Sequence, residues 1–383
     1  MRVLIAPDAF VGHLDAQQAA DAIAAGWAEW APNDSLTTCP LSSGGAGFVD
    51  VVMAARGGDL LPVTVSGPLG EPVPATVLMV TEADGARTAY LEAGQACGPQ
   101  LLHGDARDPW RATSVGVGEL VDAAVQEGAS RVVVGVGDVA SHDGGAGLLA
   151  ALGAGSPEHL ALGGGALAEM PDDAVDGLAA ARERLRGVQL VAATSSDLPL
   201  LGFHGASATD AARRGASPEQ AQALEAALGR FAHVAQTSLV AGRTLAGSGL
   251  AAGAGAGAGG GIGFALMLLG GVRVDGVGEA VAATGLTERL GAADLLVTGE
   301  SLFGWQSMRS GVVACVAAHA LGIGLPVVVL AVEVEVGRRE TLNLGVSAAY
   351  ALSDRPGWLA EVRADPAGAL TRRARRVART WSR

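Results

Sequence analysis

The sequence predicts an α/β fold of two domains: a discontinuous doubly wound domain (Rossmann/flavodoxin-like) with an inserted second α/β domain. Three observations predict it. Several short apolar runs lack alternation, as expected of parallel strands covered on both faces. Segments with apolar residues at 3–4 residue steps lie between them. Glycine-rich or acidic loops follow the apolar runs, where open α/β sheets place their ligands.

Val3-Leu4-Ile5-Ala6 is the first run, and residues 15–30 follow as a helix with Ala19, Ala20, Ile23, Ala24 and Trp27 along one stripe. Further strands are expected at 63–65, 75–80, 89–92, 131–136, 190–193, 294–298, 327–332 and 348–352. Helices are expected at 114–127, 143–152, 172–186, 218–238, 261–269, 277–286 and 307–322. The turn-rich segment Gly67-Pro68-Leu69-Gly70-Glu71-Pro72 marks a boundary. The last strands pair most simply with the first. Residues 1–66 plus 290–383 are therefore expected to form the doubly wound domain and 67–289 the inserted one, with a ligand cleft between them.

Composition limits the function. The formal charge of −13 repels nucleic acid and anionic lipid. Arg372, Arg373, Arg375, Arg376, Arg379 and Arg383 crowd the C-terminus. They read either as a patch for an acidic partner or as a solvated terminal helix complementing its dipole, and the global charge favours the second. Cys39, Cys97 and Cys315 are odd in number and form no CxxC, which argues against a disulfide framework or zinc knuckle and fits a reducing cytoplasm. No histidine pair has zinc spacing. The uncharged stretch 246–272 has transmembrane length, but its alternating glycine and alanine are too weakly apolar to insert. No lysine is present, so all 26 basic residues are arginine, which does not replace a lysine point charge neutrally. The 57 glycines indicate a compositional bias, which lowers the weight of any single one.

Three loops are dense in glycine: Ser42-Ser43-Gly44-Gly45-Ala46-Gly47, residues 135–147, and residues 253–263. Such loops let a backbone take positive φ and approach a ligand. With Ile5-Ala6-Pro7-Asp8-Ala9-Phe10-Val11-Gly12, the run 194–202, Gly205-Ala206-Ser207-Ala208 and the run 298–307, they occur in an order and spacing that resembles the type I glycerate kinases over essentially the whole chain. The opening is similar to the family's "IAPDSFKGS", Pro40 to Gly47 to "PLADGGEG", Gly135 to Gly147 to "GLGGSATNDGGAG", Thr194 to Gly202 to "CDVDNPLLG", Gly255 to Gly263 to "GAGAAGGLG", and Thr298 to Ser307 to "TGEGSLDWQS".

The resemblance implies a two-domain kinase that moves the γ-phosphoryl group of ATP, with Mg²⁺, to a hydroxyl of glycerate. Such chemistry is mostly positioning and charge neutralisation. It implies a small carboxylate and a nucleotide as partners and leaves the oligomeric state open. Departures from the pattern are many. Ser-Phe-Lys becomes Ala9-Phe10-Val11; the Asp and Glu of "DGGEG" become Ser43 and Ala46; the Ser, Thr and Asn of "GSATND" become Val139, Ser141 and His142. The first Asp and the Asn of "CDVDN" become Ser195 and Leu198, "GPQKG" becomes Ala211-Ala212-Arg213-Arg214-Gly215, and the Asp after "TGEGSL" becomes Gly304. Each lost catalytic group costs roughly 10²–10⁴-fold in rate. Weakened or lost activity is therefore expected, with as alternatives a degenerate non-catalytic paralogue acting as a metabolite-binding or regulatory protein, or a kinase for another hydroxy acid, a less polar acceptor being suggested by Val11, Val139 and Leu198.

The surviving polar residues supply the candidates. Asp197, Asp8 and Glu300 follow strands and are the carboxylates for metal or base work. Glu92 also survives. Gly44, Gly45, Asp143, Gly144, Gly145, Gly257 and Gly259 are candidates for substrate or nucleotide binding through backbone amides. Arg213 and Arg214 are candidates for gripping an anion, and Gln306 for a polar ligand contact. Asp143 also reads as a helix N-cap, His13 and His142 as exposed loop histidines, and Trp305 as packing. No metal ligand set can be assigned.

Overall fold

The computed structural model describes residues 1–102, 107–241, 249–352 and 358–382. Its strands are β1 (Arg2–Ile5), β2 (Ser35–Thr38), β3 (Asp59–Ser66), β4 (Pro72–Thr81), β5 (Arg87–Glu92), β6 (Arg131–Gly135), β7 (Gln189–Ala193), β8 (Val272–Val274), β9 (Leu295–Phe303), β10 (Val327–Val334) and β11 (Val346–Ala351). They form two sheets in two compact units. Unit 1 is Met1–Ser43, Asp50–Arg56 and Val277–Arg383; unit 2 is Gly44–Val49 and Gly57–Gly276.

Unit 1 holds five parallel strands in the order β2-β1-β9-β10-β11. Counted within the unit this is 2-1-3-4-5, the flavodoxin-like order, whose ligand crevice lies at the switch between its first and third strands. Here those strands are β1 and β9. Val3, Ile5, Leu295, Val297, Val328 and Leu330 face one core with Ile23, Trp27, Leu370 and Val377. The intervening Leu4, Leu296, Val327 and Val329 are equally buried outside that cluster, and the helix Val312–Gly322 packs on β9 and β10. Burial on both faces explains the unalternating apolar runs.

The helix Ala16–Trp30 begins in a capping box, with Asp15 accepting from the Gln18 amide and Gln18 accepting from the Asp15 amide. It packs against the helix Pro366–Trp381 so closely that a Cβ on Gly26 would overlap the Thr371 carbonyl. The C-terminal arginines belong to this second helix. Arg375 pairs with Glu29 at 3.3 Å and Arg372 with Asp365 at 3.1 Å, while Arg379 lies over the Trp30 ring. This agrees with the terminal-helix reading, and Leu370, Ala374 and Val377 on its other face are core residues. Arg383 and residues 246–248 lie outside the described residues. No described helix is long and apolar enough to cross a membrane.

Unit 2 has the order β3-β4-β5-β6-β7-β8, antiparallel from β3 to β5 and parallel from β5 to β8. β3 pairs with β4 along its whole length, so residues 57–66 belong to unit 2, which corrects the expectation that residues 1–66 lie in the first domain. Residues 277–289 likewise belong to unit 1. The expected helix 143–152 is shorter, Ala146–Ala151, because Gly144 and Gly145 take positive φ. The helix expected from 307 begins only at Val312, after Gly311 at φ +96°.

Candidate functional site

In unit 1 the chain leaves β1 at Ala6-Pro7-Asp8 and runs beside the end of β9. The Ala6 amide donates to the Val297 carbonyl at 2.8 Å and the Asp8 amide to the Gly299 carbonyl at 2.9 Å; the Thr298 hydroxyl donates to the Ala6 carbonyl at 2.7 Å. A Cβ on Gly299 would overlap the Leu330 carbonyl and crowd Phe10, so only glycine lets β9 pass there. This ladder sets Asp8 beside Glu300 at the switch point. The Asp8 carboxylate is steadied by the Ala9 amide at 2.8 Å. Glu300 is half-buried, and its Oε1 is buried with no hydrogen-bond partner. Burial pushes the Glu300 carboxyl up to about 7; the Ser307 hydroxyl pulls it back and the Asp8 charge raises it further. Gln306 and Trp305 are exposed, which corrects the reading of Trp305 as packing. Val11 is exposed as well.

Among the described residues no three His, Cys, Asp or Glu side chains gather into a metal cage. Magnesium in phosphoryl transfer takes only one or two protein carboxylates, with phosphate and water oxygens completing its octahedron. Asp8 and Glu300 fit that requirement as hard oxygen donors, and Glu300 Oε1 has no hydrogen-bond partner among the described residues.

In unit 2 the loops after β6 and β7 lie against two other glycine-rich segments. Gly44 takes φ +91°, and a Cβ there would overlap the Ala193 carbonyl; one on Gly137 would overlap the Gly45 Cα. The missing side chains of Gly44 and Gly137 thus serve backbone-to-backbone packing, while a Cβ on Gly45 would meet the Asp138 carboxylate. Asp138 is the one described non-glycine residue at positive φ, +51°. Its Oδ2 accepts from the Ala46 amide at 3.0 Å, so an amide of the 42–47 loop is occupied by the chain's own carboxylate. Buried Glu92 holds the same segment through the Val49 amide at 2.7 Å.

Asp143 is fully buried. Its Oδ2 accepts from the Ser114 amide and hydroxyl, both at 2.8 Å, and from the Gly147 amide at 3.2 Å; its Oδ1 accepts from the Gly145 amide at 3.0 Å. Burial raises its pKa against the pull of these donors. Asp143 is therefore a structural clamp, a correction to its candidacy as a ligand residue. Gly144 and Gly257 are corrected for the same reason: their amides donate to the Gly260 and Leu198 carbonyls at 2.9 and 2.8 Å. The Cβ directions of Gly145 and Gly259 are filled by Ala265 and Val136. The phosphate cradle expected from these amides does not fit, because at Gly144, Gly145 and Gly257 the amides are bonded within the chain.

His142 is buried, not an exposed loop residue. Its Nε2 meets the Ser207 hydroxyl at 3.0 Å, and burial drives its pKa down to about 3, with Arg214 pushing the same way. Arg214 is half-buried and donates through Nε to the Val139 carbonyl at 3.1 Å; Arg213 is exposed, 3.6 Å from Asp210. Val139 belongs to the unit 2 core, so it lines no acceptor pocket. Asp197 is exposed, and its carboxylate meets the Arg273 guanidinium at 2.7 Å. Asp8 and Glu300 are thus brought together in unit 1, whereas Asp197 sits in unit 2 with a cationic partner. Sequence reasoning missed Asp138 and Arg273. Asp138 carried the signal that picked out Asp8, a carboxylate just past an apolar strand; Arg273 carried none.

The glycerate kinase family model matches residues 3–382 of the chain. A glycerate kinase of Bacillus subtilis is 33% identical over 360 residues, covering 92% of this chain and 90% of its own. A glycerate 2-kinase of Escherichia coli is 33% identical over 337 residues, covering 86% and 85%. A solved structure from Salmonella typhimurium LT2, described as a "putative glycerate kinase 2", superposes with TM-score 0.76 at 30% identity, covering 99% of this chain and 98% of that one.

Proposed function

Because the chain belongs to the glycerate kinase family, we propose that it transfers a phosphoryl group from Mg-ATP to a hydroxyl of glycerate, at a rate well below that of a family member with its polar motifs intact. The observation that carries this reading is the Asp8–Glu300 pair at the switch point of unit 1, an acidic pair whose Glu300 Oε1 has no hydrogen-bond partner among the described residues. These are the residues that would hold magnesium, which neutralises charge on the phosphoryl oxygens when bound. Asp8 is kept in place by the hydrogen bond its amide donates to the Gly299 carbonyl and by the Ala9 amide, which donates to its carboxylate. Thr298 fixes the spacing of the two strands through the Ala6 carbonyl. No step is assigned to the glycine loops of unit 2. The low rate follows from the absence of lysine and from amides already bonded inside the chain.

A second reading, a non-catalytic metabolite-binding protein, is favoured by one observation: the Asp138 carboxylate occupies the Ala46 amide. Labelled ATP, Mg²⁺ and D-glycerate with concentrated purified protein separate the two. Slow turnover is expected, falling at least ~10²-fold in Asp8→Ala. Absence of turnover above background at any protein concentration would remove the first reading in favour of the second.

A further inference from the structure

The edge strand β8 carries one guanidinium that no motif accounts for. Arg273 lies opposite Ala192 in the parallel pairing of β7 with β8. Its stem crosses Gly255, where φ is +79° and a Cβ would come within 2.9 Å of the Arg273 Cγ. Its Nη2 donates to the Thr194 carbonyl at 3.3 Å and meets Asp197 Oδ1 at 2.7 Å. Its Nε is buried with no hydrogen-bond partner. The two members of the ion pair differ sharply: the Arg273 side chain is 25% exposed and that of Asp197 72%. The cation is held by the fold, while the anion stands in solvent on the loop after β7. An exposed pair of this kind is weak and exchangeable. A guanidinium with an unused donor matches a two-oxygen anion, because it grips a carboxylate through two parallel N–H bonds.

We propose that Arg273 binds the carboxylate of the hydroxy-acid acceptor, and that Asp197 is an intramolecular stand-in for that carboxylate in the ligand-free chain. This rests on the reading of the protein as a hydroxy-acid kinase and names the residue that selects an acid over a neutral polyol. Asp197, expected from the sequence to hold metal or take a proton, becomes a competitor for the substrate's place.

The test is calorimetric titration of the full-length protein with D-glycerate, and with glycerol as the neutral analogue. Asp197→Asn removes the competing charge and is expected to tighten D-glycerate binding ~2–5-fold. Arg273→Gln is expected to weaken it ~10–100-fold. Neither change should alter the response to glycerol. Unchanged or weaker glycerate binding in Asp197→Asn would overturn the proposal, as would no glycerate binding in either that variant or the parent. Asp197→Asn, altered at an exposed side chain, keeps the test decisive if Arg273→Gln fails to fold. Turnover with labelled ATP separates this inference from the kinase reading. Expected binding shifts without turnover leave the carboxylate site standing and remove the kinase reading. Turnover with an unchanged KM for glycerate in Arg273→Gln does the reverse. Inorganic phosphate losing affinity in Arg273→Gln while glycerate does not would also overturn the proposal.

Discussion

Replacing Asp143 by alanine is expected to cost about 3–5 kcal/mol of stability. The carboxylate accepts five hydrogen bonds from four residues, the Thr113 hydroxyl at 3.5 Å being the longest, all in a fully buried setting. Truncation leaves the Ser114, Gly145 and Gly147 amides without an acceptor, at about 1–3 kcal/mol for each buried group left unsatisfied. Water entering the gap offsets part of that sum. The damage would spread, because the clamp joins the start of the helix Val115–Gln126 to the start of the helix Ala146–Ala151. Asp143→Asn keeps the shape but turns one acceptor into a donor facing other donors, so it should recover little. Urea denaturation followed by far-UV circular dichroism reads both variants, and a loss below ~1 kcal/mol in the alanine variant would contradict the clamp.

Glu300→Gln is expected to work in the other direction, with a pH signature. The parent carboxyl titrates at about 7 in the folded chain, against its usual 4.5 when unfolded. Between those values the folded state binds more protons than the unfolded state, so stability falls as pH rises through the window and levels above it. Glutamine cannot ionise. The variant should match the parent near pH 4.5 and exceed it at pH 8 by ~1–3 kcal/mol, a range already reduced for partial solvent screening. Thermal melts of both proteins, without magnesium, from pH 4.5 to 8 give the difference directly. Parallel curves across that range would mean that the Glu300 carboxyl ionises as it does in water. The same substitution should lower phosphoryl transfer, so stability and activity would move in opposite directions, as is common where a site holds an unsatisfied group.

The parts of the fold legible in the sequence are those governed by local pattern. The runs at β1, β6, β9 and β10 are apolar on both faces, and the structure buries both. β2 and β8 escaped notice because each is three or four residues long and not continuously apolar. The domain boundary failed because β3 pairs with β4, a choice set by sheet geometry and not by the turn at residues 67–72. For the site, Asp8 and Glu300 were legible because a carboxylate just past a strand has few structural reasons to be there. The glycine loops misled because their amides close on carbonyls such as Gly260, which lies more than a hundred residues from Gly144. Sequence displays the donors; only the folded chain displays who accepts.

Unit 1 also carries a consequence for how the protein is made. β1 needs β9, and the helix Ala16–Trp30 needs the helix Pro366–Trp381, so residues 2–30 wait for segments synthesised on the order of hundreds of residues later. Contacts of such sequence separation form slowly. Unit 2 lies wholly between them and is complete once residue 276 has left the ribosome. A chain ending at residue 276 is expected to keep a protease-resistant unit 2 while residues 1–43 are digested, and resistance of both segments would show that β1 needs no late partner. During translation β1 is thus an apolar strand that can pair on one edge only, with β2, beside an uncovered helix face, the kind of surface on which chaperones act. The unit that holds Asp8 and Glu300 comes into being only after the unit it encloses in sequence has been made.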